Sequence, residues 1–147
     1  MLEQKAKELG IRYFLVSFTD LFGTQRAKLE PAAAIAQDCK SGAGFAGYAT
    51  WLDMTPGGPD LLAVPAPESL IQLPWRPEIG WLAADLTMNG EPVAQAPRQV
   101  LKRSLARLER QGYELRTGVE CEFFVVAGDG RSIADRHDRQ QKPCYDQ

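Results

Sequence analysis

Two carboxylates stand closest to a chemical task in this sequence. Glu120 and Glu122 lie in the run Gly118-Val119-Glu120-Cys121-Glu122-Phe123-Phe124, followed by Val125 and Val126. In an extended chain, residues i and i+2 share one face, about 6.6–6.8 Å apart at Cα. Val119, Cys121 and Phe123 then point the other way. Two like charges at that separation repel by about 2.5 kcal/mol at an effective dielectric of about 20. Inside a protein that repulsion calls for a compensating cation or for raised pKa values. Hard divalent cations take carboxylate oxygens. The apolar flank Phe123 to Val126 argues for a central, buried strand. A metal or acid–base role is one reading. A solvated or arginine-paired strand face is the other, and on pattern alone it stands ahead.

The remaining chemistry-bearing residues offer less. His137 is the only histidine and sits in the charged stretch Ala134 to Arg139, which reads as surface. Cys39, Cys121 and Cys144 are odd in number, far apart and form no CxxC pair. Reduced, mostly buried thiols are expected, without a disulfide framework or a structural zinc site. Gly42-Ala43-Gly44-Phe45-Ala46-Gly47 fits the string GxGxxG. A dinucleotide fingerprint needs a strand before it and a helix after it. Here an Ala-rich helical stretch precedes it, so a glycine loop is the better reading. Lys102, Arg103, Arg107 and Arg110 lie mostly opposite a leucine stripe and read as a solvated helix face.

Composition sets the frame. The chain has 147 residues, 44% hydrophobic, with 17 basic against 19 acidic side chains and a net charge of −2. That supports a folded core. It lacks the basic surface that non-specific nucleic-acid binding requires. No apolar run nears the roughly 18 residues of a membrane span, and Met1 to Leu9 lacks a signal-peptide core. The expectation is a cytoplasmic protein that binds neither nucleic acid nor membrane.

The elements that must position these residues follow from local pattern. Residues 1–10 read as a short helix ended by Gly10. Ile11 to Phe18 and Thr24 to Leu29 read as strands around the turn Asp20-Leu21-Phe22-Gly23. Pro31 to Cys39 favours a helix. Ser41 to Pro59 is glycine-rich and aperiodic, so a long loop is expected. Leu61 to Val64, Leu70 to Leu73 and Trp81 to Met88 read as strands, and Asn89-Gly90 as a type I′ turn before Glu91. Pro97 to Gln111 is the clearest helix, with Leu101, Leu105 and Leu108 on one stripe and Gly112 to end it. Tyr113 to Val126 reads as a strand, Asp129-Gly130 as a turn. The fold class is α+β. About 50 residues from Pro97 onward are too few for a complete domain, so the chain is expected to stop inside its second one.

Taken in order, these segments resemble the glutamine synthetase family. Ser17-Phe18-Thr19-Asp20-Leu21-Phe22-Gly23-Thr24-Gln25-Arg26-Ala27-Lys28 resembles the start of its N-terminal β-grasp domain. Asp60 to Pro65 and Leu73 to Pro77 resemble later parts of that domain. Asp85 to Pro92 and Ala96 to Arg103 resemble the crossing into the catalytic domain, and Gly118 to Phe124 resembles its first metal-binding strand. The details are most similar to the bacterial type III-like branch. The resemblance implies a β-grasp domain over residues 10–94 and the truncated start of an α/β catalytic domain over residues 97–147.

It also implies the chemistry. Glu120 and Glu122 would bind two divalent ions, Mg2+ or Mn2+, one nearer the nucleotide phosphates and one nearer the glutamate side chain. The γ-carboxylate of glutamate attacks the γ-phosphate of ATP to give γ-glutamyl phosphate, and ammonia or another amine displaces phosphate. The remaining metal ligands, the nucleotide site and the glutamate-binding arginines would lie beyond Gln147, so no catalytic or cofactor-binding residue is assigned within the chain. His137 is not their equivalent. Family members form homo-oligomeric rings, and the Ser41 to Pro59 loop is placed to help close a neighbour's site. One departure stands out. Where many members carry Phe-Asp-Gly-Ser-Ser, with the aspartate binding ammonium, this chain has Phe45-Ala46-Gly47-Tyr48-Ala49. Asp53 or Asp60 would have to compensate, or the amine differs and an alkylamine such as methylamine is preferred. The expectations are therefore a glutamate–ammonia ligase, a γ-glutamyl ligase for another amine, or a non-catalytic β-grasp interaction protein. The 147 residues alone are expected to be inactive.

Overall fold

The computed structural model describes residues 2–50, 52 and 54–131. It divides into two compact units, Met1–Glu114 and Leu115–Gln147.

The first unit is a mixed α/β layer built on a seven-stranded sheet. Helix α1 (Leu2–Leu9) precedes strands β1 (Tyr13–Thr19) and β2 (Gln25–Pro31). Helix α2 (Ile35–Ser41) leads to β3 (Ala43–Phe45), β4 (Leu61–Pro65), β5 (Ile71–Leu73), β6 (Arg76–Met88), β7 (Glu91–Pro92) and helix α3 (Pro97–Glu109). The strand order is β2-β1-β6-β4-β3, with β5 and β7 also on β6. All pairings are antiparallel except β1 with β6, which run parallel from Tyr13 opposite Ile79 to Ser17 opposite Ala83.

Alternation along the strands explains the core. Phe14, Val16 and Phe18 of β1, Leu61 and Ala63 of β4, and Leu82, Ala84 and Leu86 of β6 are buried in one cluster. Leu2 and Ala6 of α1 and Ile35 of α2 belong to the same cluster. Each large side chain so buried contributes about 1.5–3 kcal/mol relative to exposure. The two edge strands approach each other. Lys28 Nζ on β2 donates to the Gly44 carbonyl on β3 at 3.4 Å, and the Phe18 and Phe45 rings meet edge to face, 4.9 Å between centroids. The sheet is therefore curled nearly closed.

The β1–β2 hairpin is locked by a buried carboxylate. Asp20 Oδ1 accepts from the backbone N–H of Phe22 at 2.9 Å and of Thr24 at 3.0 Å, and Oδ2 accepts from Arg26 Nε at 2.8 Å. Gly23 sits at φ +79° in the turn, a conformation that costs glycine little.

Several sequence expectations need correction. Pro31 closes β2 rather than opening a helix, and α2 starts at Ile35. Residues 41–59 are not one long loop: they contain β3 and a 3₁₀ turn, Gly47–Thr50. Strand β6 begins at Arg76, five residues before Trp81. The turn at Asn89-Gly90 forms as expected, with φ of 53° and 83°. Helix α3 also forms, and Gly112 follows it at φ +79°. It buries no residue, however, and Leu101 and Leu105 of its apolar stripe are exposed.

Two carboxylates give opposite pH signatures. Burial pushes Asp20 up, but the Arg26 bond and the Thr24 and Phe22 amides outweigh it, so its pKa lies below the ordinary 3.8. The stability it contributes is complete above the unfolded-state value and is lost as pH falls through the folded one. Asp38 on α2 is buried with Oδ2 unpartnered. Burial, then the nearby Glu30 charge, raise its pKa above 3.8, with Lys28 opposing. Stability therefore falls as pH rises from the unfolded to the folded value of Asp38, and the penalty persists above it. Thermal melts followed by circular dichroism will show Asp20→Asn melting on the order of 5 °C lower at pH 7. Asp38→Asn will melt a few degrees higher at pH 7, and that advantage will vanish below the ordinary carboxylate range.

Candidate functional site

Glu120 and Glu122 both fall in the second unit. No strand ladder among the described residues includes residues 113–125, and only Val126 is bridged. The expected strand Tyr113 to Val126 is thus not formed here. The physical reason is that a strand is defined by its partner: without a ladder, extended preference alone does not fix one. Both glutamates are exposed, as are Val119, Phe123 and Phe124, with Val119 92% accessible. The shared-face geometry derived for a strand is therefore not realised, and the segment is not buried. Cys121 is exposed as well, against the expectation of buried thiols, while Cys39 is half-buried and burial raises its pKa. His137 and Cys144 lie outside the described residues.

The donor chemistry of Glu120 and Glu122 suits a hard divalent cation. Two carboxylates do not complete a six- to eight-oxygen shell, and no group of three His, Cys, Asp or Glu gathers among the described residues. The pair fits part of a metal site.

The glycine-rich segment is better built than its sequence implied. Gly42 follows α2 at φ +79°, and an added Cβ would meet Leu62 Cβ at 2.8 Å. Gly47 is equally tight: a Cβ there would lie 2.5 Å from Met54 Sδ, with the Pro59 carbonyl and Leu61 just beyond. Thr50 Oγ1 donates to the Gly47 carbonyl at 2.6 Å. Leu52 is fully buried, and Gln95 Nε2 donates to its carbonyl at 3.0 Å. Ala46 therefore sits between an edge strand and an anchored 3₁₀ turn, and Tyr48 on that turn is exposed. A helix precedes the GxGxxG string and a strand starts inside it, the reverse of a dinucleotide-binding turn. Asp60 is exposed; Asp53 lies outside the described residues.

The sequence reading missed one feature, a carboxylate clamp at the start of α3. Asp85 Oδ1 on β6 accepts from Arg98 Nε at 3.0 Å, and Oδ2 pairs with Lys102 Nζ. Arg98 and Lys102 are four apart and share a helix face, a spacing that could have flagged a common partner. Beside it, Ser17, Thr19, Gln25, Trp81, Arg98 and Leu101 border a groove of about 320 Å³.

Comparison with known proteins decides the ancestry. The family model of the glutamine synthetase catalytic domain matches residues 94–145. A glutamine synthetase of Rhizobium leguminosarum bv. phaseoli is 57% identical over 97% of this chain and 33% of its own length. The chain belongs to the glutamine synthetase family. A glutamate–methylamine ligase of Methyloversatilis universalis is 36% identical over 98% of the chain and 34% of its own length. The solved GmaS/ADP complex superposes with a TM-score of 0.90 at 58% identity, covering the whole chain and 34% of GmaS. The chain thus spans about a third of the length of the relatives it matches. Among the described residues no helix is long and apolar enough to cross a membrane.

The glycines can be ranked by experiment. Urea denaturation will show Gly42→Ala destabilised by roughly 1–3 kcal/mol, because it combines positive φ with a clash at Leu62 Cβ. Gly44→Ala, which meets nothing within 4 Å, will stay within about 0.5 kcal/mol of the parent.

Proposed function

We propose that the chain supplies the amino-terminal part of an ATP-dependent glutamate–amine ligase of the glutamine synthetase type. The observation that carries this is sequence identity of 55–58% over nearly the whole chain to glutamine synthetases and to GmaS. In this reading residues 10–94 form a β-grasp domain and residues 97–147 begin the catalytic domain. Glutamate, ATP and an amine react to give the γ-glutamyl amide, ADP and phosphate through γ-glutamyl phosphate. The active form is a homo-oligomeric ring in which residues 41–59 border a neighbour's amine site.

Glu120 and Glu122 are the metal ligands this chain contributes, for Mg2+ or Mn2+. The ions supply charge neutralisation on the phosphates and on the glutamate carboxylate. The glutamates' own task is to present acceptor-only oxygens on one segment, which requires the strand that residues 113–126 favour by composition. The exposed Val119, Phe123 and Phe124 are the surface such pairing would cover.

Ammonia is the leading amine, since two relatives above 50% identity are glutamine synthetases. An alkylamine is the second reading, favoured by Ala46, a methyl side chain where the family's ammonium-binding aspartate would stand. A glutamate–methylamine ligase shows that the family includes such a specificity.

Steady-state kinetics of the full-length enzyme with ammonia and methylamine separate the two, and a clear preference for ammonia removes the second. Glu120→Ala and Glu122→Ala will each raise the metal concentration needed for half-maximal activity on the order of tenfold or more. The 147-residue chain alone will form no γ-glutamyl amide. Product formation by this chain, or unchanged metal dependence in both variants, sinks the proposal.

A further inference from the structure

We infer that Asp85 is a positioning residue that latches the amino-terminal sheet to the first helix of the catalytic domain, an inference that rests on the ligase reading above. The family match to the catalytic domain starts at residue 94, so α3 lies inside it. Yet α3 sits in the same compact unit as the sheet, Met1–Glu114. Something must hold it there, because the helix buries none of its own residues.

The attachment is confined to its beginning. Val93 and Ala96 are buried just before the helix, and the Val93 N–H donates to the Leu86 carbonyl at 2.9 Å. Within the helix, the only charged ties to the sheet among the described residues are Arg98 and Lys102, both on Asp85. The Asp85 carboxylate spans the boundary at residue 94 with both of its oxygens. Ala96 offers no side-chain cap to the helix, so the clamp, rather than a cap, fixes the direction in which α3 leaves the sheet. Arg98 and Lys102, four residues apart, define the clamped side of α3, and helical spacing turns Arg103 and Arg107 away from Leu101 and Leu105.

The consequence is positional. The sheet carries the anchored segment from β3 to the 3₁₀ turn, with Ala46 and Tyr48. A loosened latch lets that segment shift relative to its own catalytic domain, and so relative to the neighbour's amine site that it borders, which weakens amine binding there. It leaves the reacting groups themselves unchanged. Asp85 touches no substrate and acts only through α3.

The test uses the full-length enzyme with Asp85→Ala, Asp85→Glu and the double variant Arg98→Ala/Lys102→Ala. Asp85→Ala and the double variant will raise the amine KM about fivefold while kcat stays within about twofold. Their Tm will move by only a few degrees, and Asp85→Glu will restore most of the amine KM. Hydrogen exchange will show residues 97–109 exchanging faster in Asp85→Ala. A purely structural ion pair predicts instead a lost active fraction with unchanged KM, and that result overturns the inference. So does unchanged exchange in α3, whatever the activity. Absence of γ-glutamyl amide synthesis by the unmutated enzyme would refute the ligase reading separately, while the exchange result still decides whether the latch exists.

Discussion

Four of the sheet's six ladders run along strand β6. It pairs with β1, β4, β5 and β7, leaving only the two edge strands to partners elsewhere. Such a strand must be long, and at 13 residues it is. It must also admit close neighbours. Gly80 does this: a Cβ there would lie 2.9 Å from both Phe14 and Leu70. The parallel ladder to β1 and the fully buried Phe14 ring are compatible only because that side chain is missing. With β6 in place, Leu82, Ala84 and Leu86 present the core face, and the remaining elements fold onto it.

What could be read from sequence follows the same physics. Turns with a conformational demand were legible: Asn89-Gly90, Gly10 and Gly112 all adopt positive φ where expected. The bounds of α1, β1, β2, β4 and α3 follow the local pattern to within a few residues. Two features were hidden because their cause is tertiary. The first half of β6, Arg76 to Gly80, lies before the strand expected from Trp81, and it extends because β1 and β5 bond to it. Strand β3, Ala43 to Phe45, has no periodicity of its own and exists because β4 lies beside it. Asp20 was visible as a turn residue, but its burial was not.

The carboxylate pair shows the limit from the other side. Alternation around Glu120 and Glu122 is as regular as in β1, but alternation only becomes a shared face once a ladder holds the backbone flat. The described residues provide no ladder for 113–125, and the glutamates stay exposed. The clamp at Asp85 was hidden for a different reason. Arg98 and Lys102 announce one face of a helix, but nothing local reveals that a strand residue from before the helix lies opposite both.

The parallel pairing of β1 with β6 has a consequence for synthesis. The β1–β2 hairpin leaves the ribosome before β6, with one side of β1 lacking its neighbour until the chain has grown past Ala83. At about 5–20 residues per second that interval lasts several seconds. Throughout it, the backbone groups on the β6-facing side of β1 have no partner strand, and the rings of Phe14 and Phe18 have no completed core to enter. The nascent chain is therefore most vulnerable to mispairing in that interval, and an Asp20 turn that already fixes the hairpin register narrows the ways in which it can mispair.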